Sequence, residues 1–461
     1  MFKRVSMILA ATSLAACGSS GETPPDPVDD PVTPKCVQIP KDWTDDGVQW
    51  GTANGDEALD IVISPHGYAY VGGYVDGTVG QATVDPSGDA SGVLLTIGPD
   101  PDEPDMLTYW EKDFQTQSGR AESIEALTFH PDTGELYFVG RTTGKFSGYA
   151  NAGKFDYFVG GPGSKSKFDV LYQGGWPSPQ HPRQISFDAN RDLIIGGYDD
   201  IYVPTNYVEA WEDPFVVKLQ RGTNGSLSES WRYQANTAYT DLLGGLAVEQ
   251  EGTSPGIYVS GVNTSGVERG MFVKKLDADG NVLWTHRQSP IAYDMTQSVH
   301  LLPDGNLLTA SSTFAMLGDA AYGQQDVVVQ KLDPETRQAL WTFQYGSADT
   351  EWVTDMAVDS RGNIFVVGET LGAIERDTVN QGSFDIFMLK VSPDGQLLEA
   401  RQWGSAGDDH PSAVAVDACG EAFIVGYTTG DLLTTSFGSR DAFIITTAKA
   451  PVSTSSQSAR R

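Results

Sequence analysis

Residues 356–368 of this 461-residue chain read MAVDSRGNIFVVG. The stretch consists of an apolar run, a tight turn that contains Gly, a second apolar run and a closing Gly. Residues 415–426, AVDACGEAFIVG, repeat it closely. A unit of this kind cannot bury its apolar face alone, so neighbouring units must stack to form a core. The closing small residue recurs at intervals of 50 to 67 residues, at Gly73, Gly140, Gly197, Gly261, Ser311, Gly368 and Gly426.

Each of the seven units shows the pattern of four β-strands. The apolar runs are rich in β-branched and aromatic residues, and Gly, Asp and Asn separate them. The fourth run ends on an aromatic residue, as at Trp284. No segment with a period of 3.6 residues competes with these strands. The sequence therefore predicts an all-β fold, a seven-bladed β-propeller over residues 37–449.

The two ends of the repeat region complement each other. The seventh unit has three strands, ends near Ala448 and is followed by a polar tail, residues 450–461. The missing fourth strand has its counterpart before the first unit, where residues 46–50 read DGVQW. We predict that this N-terminal strand completes the last blade, which would leave no exposed sheet edge at the junction.

Three copies of the repeat carry a resemblance to a known family. Residues 345–370 and 403–428, and less completely residues 50–73, resemble the SBBP-type β-propeller repeat of exported bacterial proteins. The middle copies depart from the pattern, since Arg191 replaces the turn Gly and Ser311 the closing Gly. The resemblance implies the propeller fold and an exported surface protein. It implies no single activity and no catalytic residues.

The N-terminus resembles the signal of bacterial lipoproteins. Lys3 and Arg4 precede a short apolar run that ends in LAACG, residues 14–18. The resemblance implies a signal peptide over residues 1–16 and a lipid (diacylglycerol with palmitate-like chains) on Cys17, which would anchor the protein. Residues 17–36 are polar, acidic and Pro-rich, as in a disordered tether. Gly18 after the cysteine favours the outer membrane of the cell envelope by analogy with Gram-negative bacteria.

The charge of the chain limits its partners. Sixty-one acidic residues against 30 basic ones give a net charge of −31, which argues against nucleic acid and against anionic lipid surfaces. A solvated acidic surface explains most of this charge. Ca²⁺, held in the central channel or by acidic loops, is the one cofactor that the composition suits, although the sequence identifies no ligand set for a metal.

Two cysteines remain after Cys17. Export places them in an oxidising compartment. Cys419 lies in the turn between the first two strands of the seventh unit, and Cys36 precedes the strand that we expect to complete the same blade. We predict a disulfide between them; the alternative is two unpaired thiols.

Motifs of catalysis are missing from the sequence. There is no G-x-S-x-G, C-x-x-C or H-E-x-x-H, and the six His residues are scattered. An Asp that recurs where the third strand begins is interpreted as a cap of the blade. The best candidate for a binding loop is in the third unit, where aromatic residues beside carboxylates suit a sugar or a protein partner. Its residues are Asp199, Asp200, Tyr202, Tyr207 and Trp211.

These observations favour a non-enzymatic envelope lipoprotein that binds envelope proteins or surface glycans. One alternative is a carbohydrate lyase or hydrolase with its active site on the same face as the candidate loop. Another is a purely structural component of the envelope. The enzyme alternative requires titratable residues from several blades to converge at one mouth of the axial channel.

Overall fold

A computed structural model describes residues 33–449, apart from 41–42, 45, 78–89, 99–107, 115–120, 164–166, 203–209, 224, 236–239, 252–255, 265–268, 290–293 and 376–377. All 28 strands belong to the compact unit from Pro34 to Arg461. The predicted signal peptide, Cys17, most of the tether and the C-terminal tail lie outside the described residues. Within the described ranges there is no helix of the length and apolarity that crossing a bilayer requires.

The strands form seven antiparallel sheets of four strands each, which confirms the predicted seven-bladed propeller. Blades 1 to 3 are β2 (Asp56–Ile63), β3 (Ala69–Val75), β4 (Ser91–Ile97), β5 (Thr108–Phe114); β6 (Glu122–Phe129), β7 (Leu136–Thr142), β8 (Asp156–Pro162), β9 (Phe168–Gly174); β10 (Gln180–Phe187), β11 (Leu193–Tyr202), β12 (Ala210–Arg221), β13 (Leu227–Gln234). Blades 4 and 5 are β14 (Asp241–Val248), β15 (Ile257–Asn263), β16 (Gly270–Leu276), β17 (Val282–Arg287); β18 (Met295–Leu301), β19 (Leu307–Thr313), β20 (Asp326–Asp333), β21 (Gln338–Tyr345). Blades 6 and 7 are β22 (Glu351–Val358), β23 (Ile364–Thr370), β24 (Asp385–Val391), β25 (Leu397–Trp403); β26 (Asp409–Val416), β27 (Ala422–Thr428), β28 (Asp441–Thr446) and β1 (Gly47–Trp50).

The N-terminal strand completes blade 7, as predicted. Strand β1 pairs with β28, so that Gly47 lies opposite Ile445 and Trp50 opposite Ala442. The side chain of Gln49 also makes the contacts that are typical of a fourth strand. Its Nε2 donates to Asp441 Oδ2 at 2.9 Å, and its Oε1 accepts from the Leu433 backbone amide at 3.0 Å.

Gln402 does the same in blade 6, since its side chain bonds to Asp385 Oδ2 at 2.8 Å and to the Ile374 amide at 2.9 Å. Strand β1 therefore replaces the missing strand in its hydrogen bonding as well as in its position.

The carboxylate that begins the third strand is a cap, as interpreted from the sequence. Asp326, for example, is buried and accepts from the Tyr322 and Gly323 amides at 2.9 and 3.0 Å.

A β-bulge in the innermost strand explains the closing Gly of the repeat. The register of the first strand shifts near its start in every blade, after the second residue in blade 5 and after the third in the others, for example between Val353 and Asp355. Gly368 faces Val353 across the sheet, and a Cβ on Gly368 would lie 2.0 Å from the Trp352 carbonyl oxygen. A side chain does not fit there, so the residue must be small.

The core lies between the blades, as the stacking of repeats requires. Val367 and Met388 of blade 6 pack in one buried cluster with Val414 and Phe443 of blade 7. Equivalent clusters join the other neighbours. Burial of apolar surface between blades at about 25 cal/mol per Å² therefore drives formation of the ring.

Candidate binding site at the mouth of the axial channel

The first strands of all seven blades surround a cavity of about 670 Å³ on the axis of the propeller. The cavity lies towards the end at which the first strands begin and the second strands finish; we call this end the mouth. The bulge in each first strand turns one residue towards the channel. These seven residues are Leu59, Glu125, Arg183, Gly244, Gln297, Thr354 and Ser412.

The second residue of each first strand (in blade 5 the first, Met295) and its neighbour on the second strand line the rim of the mouth. In blades 6, 7, 1, 2 and 3 these pairs are polar or aromatic, and we call them the polar sector. The pairs, in that order, are Trp352 and Glu369, His410 and Tyr427, Glu57 and Tyr74, Ser123 and Arg141, and His181 and Tyr198. Blades 4 and 5 have the pairs Leu242 with Val262 and Met295 with Ser312. Three of these four residues are apolar, and we call the two pairs the apolar sector.

His410 is the centre of the polar sector between blades 6 and 7. Its Nδ1 bonds to the carboxylate of Glu369, and its ring lies 4.8 Å from Tyr427 and 5.1 Å from Phe384, centroid to centroid. Phe384 in turn contacts Trp352 at 5.5 Å. Burial alone would lower the pKa of His410, but the hydrogen bond and charge of Glu369 outweigh it and raise this pKa. The mouth thus offers an imidazole with a fixed orientation among aromatic rings.

Glu57 connects blade 1 to blade 7. Its carboxylate forms an ion pair with Arg440, whose guanidinium lies 5.2 Å from the centroid of the Tyr427 ring. Burial, and secondly the charge of Glu57, raise the pKa of Tyr74 on the neighbouring strand. The Tyr74 phenol therefore keeps its proton at neutral pH and is a hydrogen-bond donor.

A second network joins blades 2 and 3. Arg141 forms an ion pair with Glu125 (Nε to Oε1, 2.9 Å) and donates from Nη1 to His181 Nδ1 at 2.8 Å. Since Nδ1 accepts this bond, we assign the proton of the neutral ring to Nε2, which faces Asp200 Oδ2 at 3.3 Å. Burial, and secondly Arg141, lower the pKa of His181, in agreement with a neutral ring. Its ring stacks on Tyr198 at 4.9 Å.

Two carboxyl groups lie deeper in the channel. Asp60 Oδ2 accepts from the Leu127 amide of the next blade at 2.6 Å, and Asp355 Oδ2 accepts from the Val414 amide of the next blade at 3.0 Å. Burial raises the pKa of Asp60 to about 8 and that of Asp355 to about 6. These residues link neighbouring blades, and Asp60 is protonated at neutral pH.

The candidate loop of the third unit requires a correction. Strand β11 continues to Tyr202 and β12 begins at Ala210, so Asp199, Asp200, Tyr202 and Trp211 lie on paired strands. Asp199 is 1% exposed and accepts from Trp176 Nε1 at 2.6 Å and Ser178 Oγ at 2.7 Å. It therefore serves the fold and does not face a ligand, because strand alternation turns it inwards.

The other loop residues have different positions. Asp200 is partly exposed and contacts His181, which places it beside the polar sector. Only the backbone of Tyr202 and Trp211 is described, and Tyr207 lies outside the described residues. Binding by these three residues stays a prediction.

Cys36 and Cys419 are joined by a disulfide, with 5.4 Å between their Cα atoms. The neighbouring Val37 amide donates to Asp417 Oδ2 at 3.0 Å, and the Lys35 amide donates to the Pro65 carbonyl at 2.9 Å. These contacts involve turns between first and second strands, which lie at the opposite end of the blades from the mouth.

Potential metal ligands converge in the same region. Within the described ranges, one group of three residues brings its potential ligand atoms within 4.8 Å of one another. The group consists of Cys36, Asp417 and Cys419. The two sulfur atoms are bonded to each other, so this group does not supply a thiolate site in the oxidised protein. Binding of Ca²⁺ by the channel or the acidic loops stays a prediction.

Comparison with known families identifies one repeat directly: residues 340–374 match SBBP, the β-propeller repeat. The chain carries an SBBP β-propeller repeat. Solved structures similar to this propeller include Sqt1 from Chaetomium thermophilum, with 14% identity, 86% of each chain covered and a TM-score of 0.45.

Two further similar structures have enzyme names. The phage phi92 endosialidase shares 10% identity over 90% of this chain and 71% of its own, with a TM-score of 0.42. The α-L-arabinofuranosidase Arb93A from Fusarium graminearum shares 9% identity over 88% and 98%, with a TM-score of 0.43. Likeness at this level says nothing about the ligand of the SBBP propeller. Comparison with curated proteins finds no match.

Sequence reasoning missed the residues of the polar sector. Glu57, Arg183, Glu369 and His410 stand in no recognisable motif, and each comes from a different part of the chain. A usable signal was nevertheless present. When the seven units are aligned on their closing small residue, an Asp, Glu or Gln opens six of the first strands and Asp294 directly precedes the seventh, and the residue after it differs between most units.

Proposed function

We propose that this protein is an exported lipoprotein of the bacterial cell envelope whose propeller binds a surface glycan in the mouth of its axial channel. The observation that carries the proposal is the polar sector, where five consecutive blades bring hydrogen-bonding groups and aromatic rings to one rim. Sugars have hydroxyl groups around the ring and apolar C–H faces, so they suit polar groups that alternate with aromatic rings.

The size of the cavity supports a ligand of this kind. Its volume of about 670 Å³ falls within the range of about 300–1,000 Å³ that is typical of small-ligand sites. Such a volume accommodates a few sugar rings, whereas a folded partner would contact only the rim.

The position of the disulfide supports presentation of the mouth at the cell surface. Cys36 is the point at which the chain that leads from Cys17 is fixed to the propeller, and it lies on the face opposite the mouth. Lipid attachment at Cys17 would therefore leave the mouth accessible to a glycan.

The test is a glycan array followed by calorimetric titration, with the full chain purified in detergent. We expect Trp352→Ala and His410→Ala to weaken binding at least about tenfold, because each removes a stacking or hydrogen-bonding group of the rim. His66→Ala, an exposed histidine in the turn between β2 and β3 on the opposite face, is the matched control. Failure of the wild-type chain to bind any glycan would reject the proposal, as would unchanged binding by both rim variants.

A carbohydrate lyase or hydrolase is the second candidate. Its specific support is the convergence of Glu57, Tyr74, His181, Glu369 and His410 from four blades at one mouth. Incubation of the bound glycan with the protein, followed by mass spectrometry, distinguishes the two functions. An enzyme would shorten the glycan, and Glu57→Gln or His410→Ala would slow this reaction, whereas a binding protein would leave the glycan intact.

A further inference from the structure

We propose that the glycan bound by this channel is acidic, with a carboxylate on at least one sugar, and that the guanidinium of Arg183 binds this carboxylate. The inference deepens the proposed function and rests on it. It concerns the chemical class of the ligand, which follows from how the arginines of the mouth are engaged.

Three arginines lie at the mouth, and two are neutralised within the protein. Arg141 pairs with Glu125 and Arg440 pairs with Glu57. Arg183 occupies the bulge of β10, lines the channel and is exposed to it. None of the ion pairs found among the described residues includes Arg183. Apart from a hydrogen bond with the Tyr198 side chain, its donors are thus available to a group that enters the cavity.

The guanidinium of Arg183 is also held in position. It lies 5.7 Å from the centroid of the Tyr198 ring, and Tyr198 itself stacks on His181. His181 is fixed in turn by Arg141 and Asp200. A planar guanidinium held in this way presents two parallel N–H groups, which match the two oxygens of a carboxylate.

The acidic residues around Arg183 do not make a carboxylate ligand unsuitable. Glu57 and Glu125 are paired with arginines, and Glu369 with His410. Asp60 holds a proton at neutral pH because burial raises its pKa to about 8. Glu212 also lines this cavity and interacts electrostatically with Arg183, but it forms no ion pair with Arg183 among the described residues. Burial lowers the pKa of Arg183, and Tyr198, followed by Glu125 and Glu57, outweighs this effect and raises it. Arg183 is therefore a cation without an ion-pair partner among the described residues.

The experiment uses an array of uronate-containing and sialylated glycans, each beside its carboxyl-reduced neutral counterpart, with the full chain in detergent. Each pair differs only in the carboxylate. We expect the wild-type chain to bind acidic members at least about tenfold more tightly than their neutral counterparts, as a charge-assisted bidentate contact in a cavity would give. Arg183→Gln should abolish this preference. Arg183→Lys should keep part of the preference, because lysine retains the positive charge but lacks the two parallel N–H groups of the guanidinium.

Arg361→Gln is the matched control, since Arg361 is exposed in the turn between β22 and β23 at the opposite end of the blades. Its preference should equal that of the wild type. Equal binding of acidic and neutral members by the wild type overturns this inference and leaves glycan binding standing. A preference that survives in Arg183→Gln overturns the role of Arg183. Binding of nothing on the array overturns the inference together with the proposed function.

Discussion

Two adjacent positions in each innermost strand have opposite properties. At the residue that opens the sheet, every blade has a carboxylate or carboxamide that is at most 3% exposed; the seven are Asp56, Glu122, Gln180, Asp241, Asp294, Glu351 and Asp409. One residue later, strand alternation turns the side chain to the mouth. Here the blades differ, with Glu57, Ser123, His181, Leu242, Met295, Trp352 and His410.

The buried position performs the same task in blades 1, 5, 6 and 7. Glu351 accepts from the Ser347 amide at 2.9 Å and from Thr370 Oγ1 at 2.8 Å, which ties the loop that enters blade 6 to the end of its second strand. Asp294 does this in blade 5 through the Ser289 hydroxyl at 2.5 Å and the Phe314 amide at 2.7 Å. The neighbouring position has no such shared task. Within one repeat protein, sameness therefore indicates structure and difference indicates the binding surface.

The largest effect is expected at the closing Gly, which is a shared structural position. Gly368→Ala should lower the free energy of unfolding by about 3 kcal/mol, because its methyl group would meet the Trp352 carbonyl at 2.0 Å. Gly196→Ala is the control, since its Cβ would meet Leu243 at an ordinary 3.4 Å. Urea denaturation measures both, and equal losses would contradict the steric explanation.

The next effect tests the adjacent positions directly. Asp409→Ala should cost about 2 kcal/mol, because it leaves the buried Ser405 amide, 2.5 Å from the carboxylate, without an acceptor. His410→Ala should cost less than about 1 kcal/mol and should weaken ligand binding instead. If His410→Ala destabilised the protein as much as Asp409→Ala, the two positions would not differ in role.

The pH dependence of stability tests Asp60, which lines the channel but links two neighbouring blades. Its pKa is about 8 in the folded protein against 3.8 in the unfolded chain. As pH rises from about 4 to about 8, the unfolded chain releases this proton first, so the carboxyl increasingly destabilises the native state. The amide side chain of the Asp60→Asn variant cannot ionise. It has one hydrogen-bond acceptor oxygen fewer than the carboxyl group, and this difference is the same at every pH.

The stability of Asp60→Asn relative to the wild type should therefore increase between pH 4 and pH 8 by at least about 1–2 kcal/mol, since each unit of pKa difference corresponds to about 1.4 kcal/mol. Melting temperatures of both proteins across this range provide the measurement. Leu127 contributes only its amide to this contact, so Leu127→Val is a control with no expected pH dependence of its own. A difference that stays constant with pH would show that Asp60 is ionised in the folded protein.

The smallest effect is expected in the apolar sector. Leu242→Ala should change glycan affinity less than about threefold, because Leu242 has no hydrogen-bonding group to offer a sugar. Trp352→Ala is the comparison, with a loss of at least about tenfold. Equal losses in calorimetric titration would mean that the whole rim, and not its polar part, contacts the ligand.

The fold was predictable because the needs of a blade are local and repeat along the chain. Turn residues, strand runs and the closing Gly recur in every unit, and the DGVQW segment could be matched to the fourth strand that the last unit lacks. The site was not predictable in this way. His410 and Glu57 stand at opposite ends of the chain, and only closure of the ring between blades 7 and 1 brings them to one rim.

The third unit shows why composition alone does not give the direction of a side chain. Tyr and Asp residues suggested an exposed loop, but the β-forming residues continue β11 to Tyr202. Adjacent side chains then alternate in direction, so Asp199 is buried while Tyr198 lines the channel. The direction of a side chain depends on the register between strands, which the sequence of one unit does not reveal.

The disulfide determines how the protein would respond to mechanical load. Tension along the chain from its N-terminal side meets Cys36 before it meets β1, and the covalent bond passes it to the turn that holds Cys419. Without that bond, the same tension would act on the four residues of β1 and could unzip them from β28 one backbone pair after another. An oxidised anchor point thus shields the shortest strand of the ring from shear.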